Sequence, residues 1–210
     1  ISTIKKLKVS KKIYFADKNF SKKLILYIKN NISIILSFEW PYIINNNYIK
    51  LCKFGIINTH SSYLPYERGV HSYVYSILKN HPKGITIHFM DKKVDAGKIF
   101  KQKKIKTKDF ITGRELEIKL TKEKLKFYKK QFKKIYKLNF NKKKLPKVNI
   151  KFKQNFRQDL DKNTTIYLNK KYKAKNLINL ILSRSGFKKG GAHFAFKGKN
   201  YELSLSVRKK

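Results

Sequence analysis

The sequence is poor in several residue types that would narrow its function. It has one cysteine, one methionine and one tryptophan in 210 residues. A lone Cys52 excludes an internal disulfide, and its position in an expected helix assigns it to packing. No apolar run approaches the length of a membrane span and no signal peptide is visible, so a cytoplasmic protein is expected. There is no glycine-rich phosphate loop and no internal repeat. The histidines, at 60, 71, 81, 88 and 193, lack metal-ligand spacing, so no metal is expected. Acidic residues are scarce, 12 against 52 Lys and Arg, and the net charge is +40. Arginine is scarce as well (Arg68, Arg114, Arg157, Arg184, Arg208), so the positive charge is nearly all lysine. Two readings of that charge stand. One is nucleic-acid or anionic-membrane binding through counterion release. The other is compositional, since Lys, Asn, Ile, Phe and Tyr share A/T-rich codons; nucleic-acid readers lean on Arg for bidentate contacts.

Apolar residues make up 41% of the chain, enough for a core in one domain with a small appendix. Residues 12–16 are expected as a short strand and 20–30 show helical spacing. Residues 32–38 are a continuous apolar run, as in a parallel strand covered on both faces. A loop at 39–44 leads to a helix at 46–53 and a strand at 55–58. A helix at 71–80, a strand at 84–90, a turn around Asp95 and a strand at 98–105 follow. This alternation predicts an α/β domain with a mostly parallel sheet. Thr112 with Glu115 forms a capping-box pattern opening a long helix to 137. Its apolar side is read as Leu116, Leu120, Leu125, Phe127, Tyr128, Phe132 and Ile135, and its lysines as a solvated face. Residues 139–165 read as a surface loop. A helix at 174–186 precedes a hairpin, with strands at 192–196 and 201–207 flanking Gly198-Lys199-Asn200.

The strand at 55–58 ends in Asn58 and His60, two residues apart and so on one side of the backbone. Ser62, Leu64 and Pro65 follow. Residues 84–97 supply Gly84, Thr86, His88, Asp91, Asp95 and Gly97. Together these residues resemble the pattern Asn-x-His-x-Ser-x-Leu-Pro, then Gly-x-Thr-x-His-x-x-Asp-x-x-x-Asp-x-Gly, of formyltransferases that use 10-formyltetrahydrofolate. That family includes methionyl-tRNA, glycinamide ribonucleotide and nucleotide-linked amino-sugar formyltransferases. The resemblance implies a Rossmann-like catalytic domain over 1–138 with its first strand-helix unit missing or truncated; an opening Ile1 and a single methionine at Met90 fit the expectation of a fragment of a longer protein. Residues 139–210 would be a connecting loop and a small C-terminal α+β extension.

The resemblance implies formyl transfer to an amine. Negative charge then grows on the formyl oxygen and needs preorganised donors. Asn58 can donate from its amide, His60 can donate or move a proton, and Asp95 can orient His60. By correspondence with the family, the folate slot uses Tyr42, Ile43 and Ile44 from one loop and Met90, Asp91, Lys92 and Val94 from another. Tyr63, Arg68 and His71 flank the acceptor side, with Arg68 suited to a phosphate. His88 is read as packing and Ser62 as a turn hydrogen-bonder. The expected acceptor is a phosphate-bearing small-molecule amine, foremost a nucleotide-linked amino sugar. Methionyl-tRNA, glycinamide ribonucleotide, or water in a formyltetrahydrofolate hydrolase are the alternatives, and a basic nucleic-acid-binding protein is the rival of another class. A homo-oligomer is compatible with all of these.

Overall fold

The computed structural model describes residues 22–38, 40, 42–137 and 140–208. The strand expected at 12–16 lies outside them, as do Glu39 and Pro41 of the 39–44 loop. Helix α1 (Lys22–Asn31) turns Leu24, Ile25 and Ile28 inward. Strand β1 (Ile35–Ser37), helix α2 (Asn46–Ile49) and strand β2 (Ile56–His60) form the expected strand-helix-strand unit, with β1 parallel to β2. Helix α3 (Ser72–Leu78) then leads to β3 (Gly84–Phe89) and β4 (Ile99–Lys104). The sheet order is β1-β2-β3-β4.

The α/β class stands, and strand direction is where the structure departs from expectation. Among the described strands one pair is parallel, while β2–β3 and β3–β4 are antiparallel. Strand-helix alternation predicts crossovers, but the connection through α3 folds back instead. The chain re-enters the sheet beside the end of β2, where Gly84 lies against Tyr63. The resulting register sets Asn58 opposite His88 and His60 opposite Thr86.

All six residues of β3 are buried, and β4 is an edge strand with exposed lysines, which discourages further pairing. Helix α4 (Gly113–Tyr136) covers the sheet, and its Thr112–Glu115 capping box is formed. Leu116, Leu120, Phe127 and Ile135 pack against Ile57, Ile85, Ile87 and Phe89. Each such buried side chain contributes roughly 1.5–3 kcal/mol. Within this stripe Lys124 is buried and Leu125 is 39% exposed, the reverse of the expected assignment. Position 124 follows Leu120 by four and precedes Phe127 by three, so helical geometry turns it inward whatever its chemistry.

Residues 139–165 are more than a surface loop. They hold a 3-10 turn (Lys142–Lys144) and helix α5 (Asp159–Thr164), and Asn155 is buried beside Gly69. They lack a period because their polar groups bond to specific partners rather than repeat along one face. Helix α6 (Ala174–Arg184) sends Leu182 into the main core, and Gly113 lies against the Ser183 carbonyl, where a Cβ would clash. The hairpin pairs β5 (Ala192–Phe196) with β6 (Lys199–Leu203). Its turn is Lys197-Gly198, both at positive φ, slightly N-terminal of the expected turn.

Gly97 controls the turn that carries Asp95. A Cβ there would overlap the Phe89 carbonyl oxygen. Gly97→Ala is therefore expected to cost about 3 kcal/mol, while Gly198→Ala, whose Cβ meets nothing within 4 Å, costs about 1 kcal/mol through its positive φ. Urea denaturation of the two variants checks the ordering.

Candidate active site

The register of β2 on β3 and the turn after β3 bring four side chains together. Asp95 sits at positive φ in that turn, its side chain 9% exposed. Its Oδ2 accepts from the Gly69 N–H at 2.9 Å and lies 3.5 Å from His60 Nδ1. Its Oδ1 lies 3.3 Å from His88 Nε2. Burial works to raise the Asp95 carboxyl. The charge of His60, the ring of His88 and the Gly69 N–H outweigh it and hold the group well below the usual carboxylate range. His60 donates from Nε2 to the Glu67 carbonyl at 2.9 Å. His88 donates from Nδ1 to the Phe89 carbonyl at 2.9 Å, which turns its other nitrogen to Asp95. The two rings stand nearly perpendicular, centroids 6.5 Å apart. Asn58 is half-buried, and its amide has no hydrogen-bond partner among the described residues.

The reading of His88 as packing is incomplete. It is 1% exposed, as packing requires, yet it faces the carboxylate. Period two places Thr86 and His88 on one face of β3, and only the folded turn reveals that Asp95 covers that face.

The loop after β2 is held by a buried polar cluster. Glu67, at positive φ with its side chain 1% exposed, accepts from His81 Nδ1 at 2.5 Å, Lys79 Nζ at 3.1 Å and Asn155 Nδ2 at 2.6 Å. Ser62 Oγ donates to the Tyr66 carbonyl at 2.8 Å within the same loop. The expectation that Arg68 binds a phosphate is corrected by its surroundings. It is 5% exposed, and donates from Nε and Nη2 to the Val94 carbonyl and from Nη1 to that of Phe152. Its fork is used to tie the loop after β2 to the Asp95 turn. Tyr63 is corrected likewise: it lies against Gly84 and under Lys104 Nζ, off the cavity.

A cavity of about 660 Å³ opens over these groups, within the size range of small-molecule sites. Trp40, Tyr42, Ile43, Ile44 and Met90 give the cavity apolar lining, and Asp91, Lys92 and Val94 line it too. Asn58, His60, His88 and Asp95 line the cavity together. His71, alone of the three expected acceptor residues, lines it as well. Sequence reasoning missed Lys124, whose Nζ donates to Ser61 Oγ at 2.7 Å beside His60, and the segment 154–157, which forms another wall. The inward position of Lys124 in the α4 stripe was a usable signal for the first; no local signal marked the second. Among the described residues no group of His, Cys, Asp and Glu side chains could hold a metal ion, and no helix is long and apolar enough to cross a membrane.

Comparison with known proteins agrees with this geometry. The formyl transferase family model matches residues 3–131. The chain belongs to the formyl transferase family. The bifunctional polymyxin resistance protein ArnA of Wigglesworthia glossinidia brevipalpis is 38% identical over 124 residues, which is 57% of this chain and 19% of that protein. The chain thus spans less than a third of the length of the curated relatives it matches. Among solved structures, a 4-N formyltransferase from Francisella tularensis superposes with a TM-score of 0.80 at 22% identity, over 93% of this chain and 78% of that one. The formyltransferase PseJ from Anoxybacillus kamchatkensis superposes with a TM-score of 0.64 at 26% identity, over 80% of this chain and 85% of that one. That structure is a complex with UDP-4,6-dideoxy-4-formamido-L-AltNAc and tetrahydrofolate.

The lowered Asp95 carboxyl has a consequence for stability. Its folded value lies below its unfolded one, so its ionisation stabilises the fold above about pH 4, and that contribution is lost as pH falls through the folded value. The stability gap between the native chain and Asp95→Asn is therefore expected to be full at neutral pH and to narrow below about pH 4; urea melts at stepped pH measure it. Glu67→Ala strands Lys79 and His81 and is expected to cost about 3 kcal/mol, read from the same melts at pH 7.

Proposed function

We propose that this chain transfers a formyl group from 10-formyltetrahydrofolate to the primary amine of a nucleotide-linked amino sugar. The observation that carries the reading is the convergence of Asn58, His60 and Asp95 in one cavity that also has apolar lining. The lining fits the donor: a flat heterocycle needs apolar faces, which Tyr42, Ile43, Ile44 and Met90 offer, and polar edges, which Asp91 and Lys92 offer. The bound folate supplies a formyl group activated on nitrogen. PseJ, with its UDP-linked formamido sugar and tetrahydrofolate, supports the choice of acceptor class.

The chain's own groups divide the work. Asn58, which lines the cavity from β2, donates its side-chain N–H to the formyl oxygen as charge grows there. His60 turns Nε2 off the Glu67 main-chain carbonyl, keeps its ring proton on Nδ1 toward Asp95, takes the attacking amine's proton on Nε2 and passes it to the folate nitrogen as the bond from the formyl carbon to that nitrogen breaks. Asp95 stays ionised across the working range and stabilises the ring as it gains charge. His88 and Gly69 keep the carboxylate from rotating away from His60.

The test is formyl transfer from 10-formyltetrahydrofolate to a panel of amines: a nucleotide-linked 4-amino sugar, methionyl-tRNA and glycinamide ribonucleotide. Transfer to the amino sugar is expected. His60→Ala and Asp95→Ala should lower it about 10²–10⁴-fold, and Asn58→Ala about 10²–10³-fold. A native rate in His60→Ala, or tetrahydrofolate binding with no amine formylated, would overturn the reading.

A further inference from the structure

The second wall of the cavity is the segment 154–157, and its geometry is built rather than incidental. Asn155 anchors it. Its N–H donates to the Arg68 carbonyl at 2.8 Å, its carbonyl accepts from the Val70 N–H at 3.3 Å, and its side chain donates to buried Glu67. Gly69, at positive φ, allows the approach, since a Cβ there would overlap the Asn155 carbonyl oxygen. Gly69 is also the residue whose N–H holds Asp95. The segment is therefore fixed to the same backbone that positions the catalytic carboxylate.

Two residues beyond the anchor the chain places Phe156 and Arg157 on the cavity. Phe156 is 44% exposed. Arg157 is exposed, and its guanidinium makes no hydrogen bond or ion pair among the described residues. Its charge reaches the neighbouring wall. After burial, Arg157 and then Arg184 are what hold the His71 imidazole below its ordinary value. The carboxylate on that wall, Glu117, is already engaged by Arg114 and by the Tyr73 hydroxyl, whose pKa is pushed up to about 12, first by burial and then by Glu117. Beside His71 and Tyr73 the cavity lining thus offers a planar cationic fork and an aromatic face.

We propose that this wall is the subsite for the nucleoside diphosphate of the acceptor, with Arg157 on the phosphate oxygens and Phe156 against the base. A guanidinium matches two phosphate oxygens at once, and an aromatic face accepts any base by stacking. The subsite rests on the formyl-transfer reading. It explains how that reaction gains its acceptor when Arg68 is committed to main-chain carbonyls.

Calorimetric titration of the full chain with UDP, dTDP, inorganic pyrophosphate and tetrahydrofolate tests it. The native chain is expected to bind UDP or dTDP. Arg157→Ala should weaken both the nucleotide and pyrophosphate by about tenfold or more. Phe156→Ala should weaken the nucleotide by about tenfold and leave pyrophosphate unchanged. Equal tetrahydrofolate affinity in all three proteins is the expected sign that the substitutions act locally. Native nucleotide affinity in Arg157→Ala overturns the subsite. So does a native chain that binds tetrahydrofolate but neither nucleotide, a result that leaves formyl transfer standing. A native chain that fails to bind tetrahydrofolate removes the formyl-transfer reading, and the subsite with it.

Discussion

A buried carboxylate is costly unless its charge is met by fixed donors, and Asp95 is where this structure meets that cost. Three groups from three separate places in the chain close on it: the His60 ring from β2, the His88 ring from β3 and the Gly69 N–H from the intervening loop. Each requirement propagates outward. For both rings to face one carboxylate, β2 and β3 must pair antiparallel in the observed register. For Gly69 to present its N–H, the loop after β2 must fold back, which the Glu67 cluster and the Arg68 fork enforce. For the turn to bring Asp95 over β3, residue 97 must have no side chain. The core beneath, Ile57, Ile85 and Ile87 against α4, serves as the rigid base for this arrangement.

The same economy explains the division of labour among the arginines and lysines near the site. Arg68 has the shape to bind phosphate, but its donors are spent on the Val94 and Phe152 carbonyls. Lys124 is drawn inward by the helical stripe and ends on Ser61, next to His60. Arg68 and Lys124 are therefore committed to contacts within the fold, while the Arg157 fork makes no hydrogen bond or ion pair among the described residues.

What the sequence revealed and what it concealed follow from how local each signal is. The meeting of Asn58, His60 and Asp95 in one cavity was expected from a family resemblance carried by two short stretches of chain. The α4 start was legible because a capping box is complete in four residues. Strand direction was not, since alternation of helix and strand does not say whether a connection crosses the sheet or folds back beside the strand it left. Arg68 was misread because the carbonyls it serves lie 26 and 84 residues away. Residues 154–157 were hidden for a related reason. Their role depends on a main-chain anchor to Gly69, and polar residues without a period look alike whether they wander or wall a cavity. Lys124 was obscured by number, one lysine among many on a helix whose other lysines do face water.

The excess of lysine bears on the site in a way that holds whatever its origin. Acidic residues are so few that several are shared or claimed: Glu123 by Lys103 and Lys126, Asp91 by Lys147, Glu115 by Lys108. Each exposed pair is worth little on its own, and together they leave the surface strongly positive. Such a field favours the ionised form of Asp95 and raises the local concentration of anionic small molecules near the cavity mouth. The effect fades over about 8–10 Å at physiological salt, so it can speed encounter but cannot choose among anions. Choice has to come from groups at contact distance with defined geometry. In this cavity the fork of Arg157 and the face of Phe156 have that geometry, and the diffuse lysine charge does not.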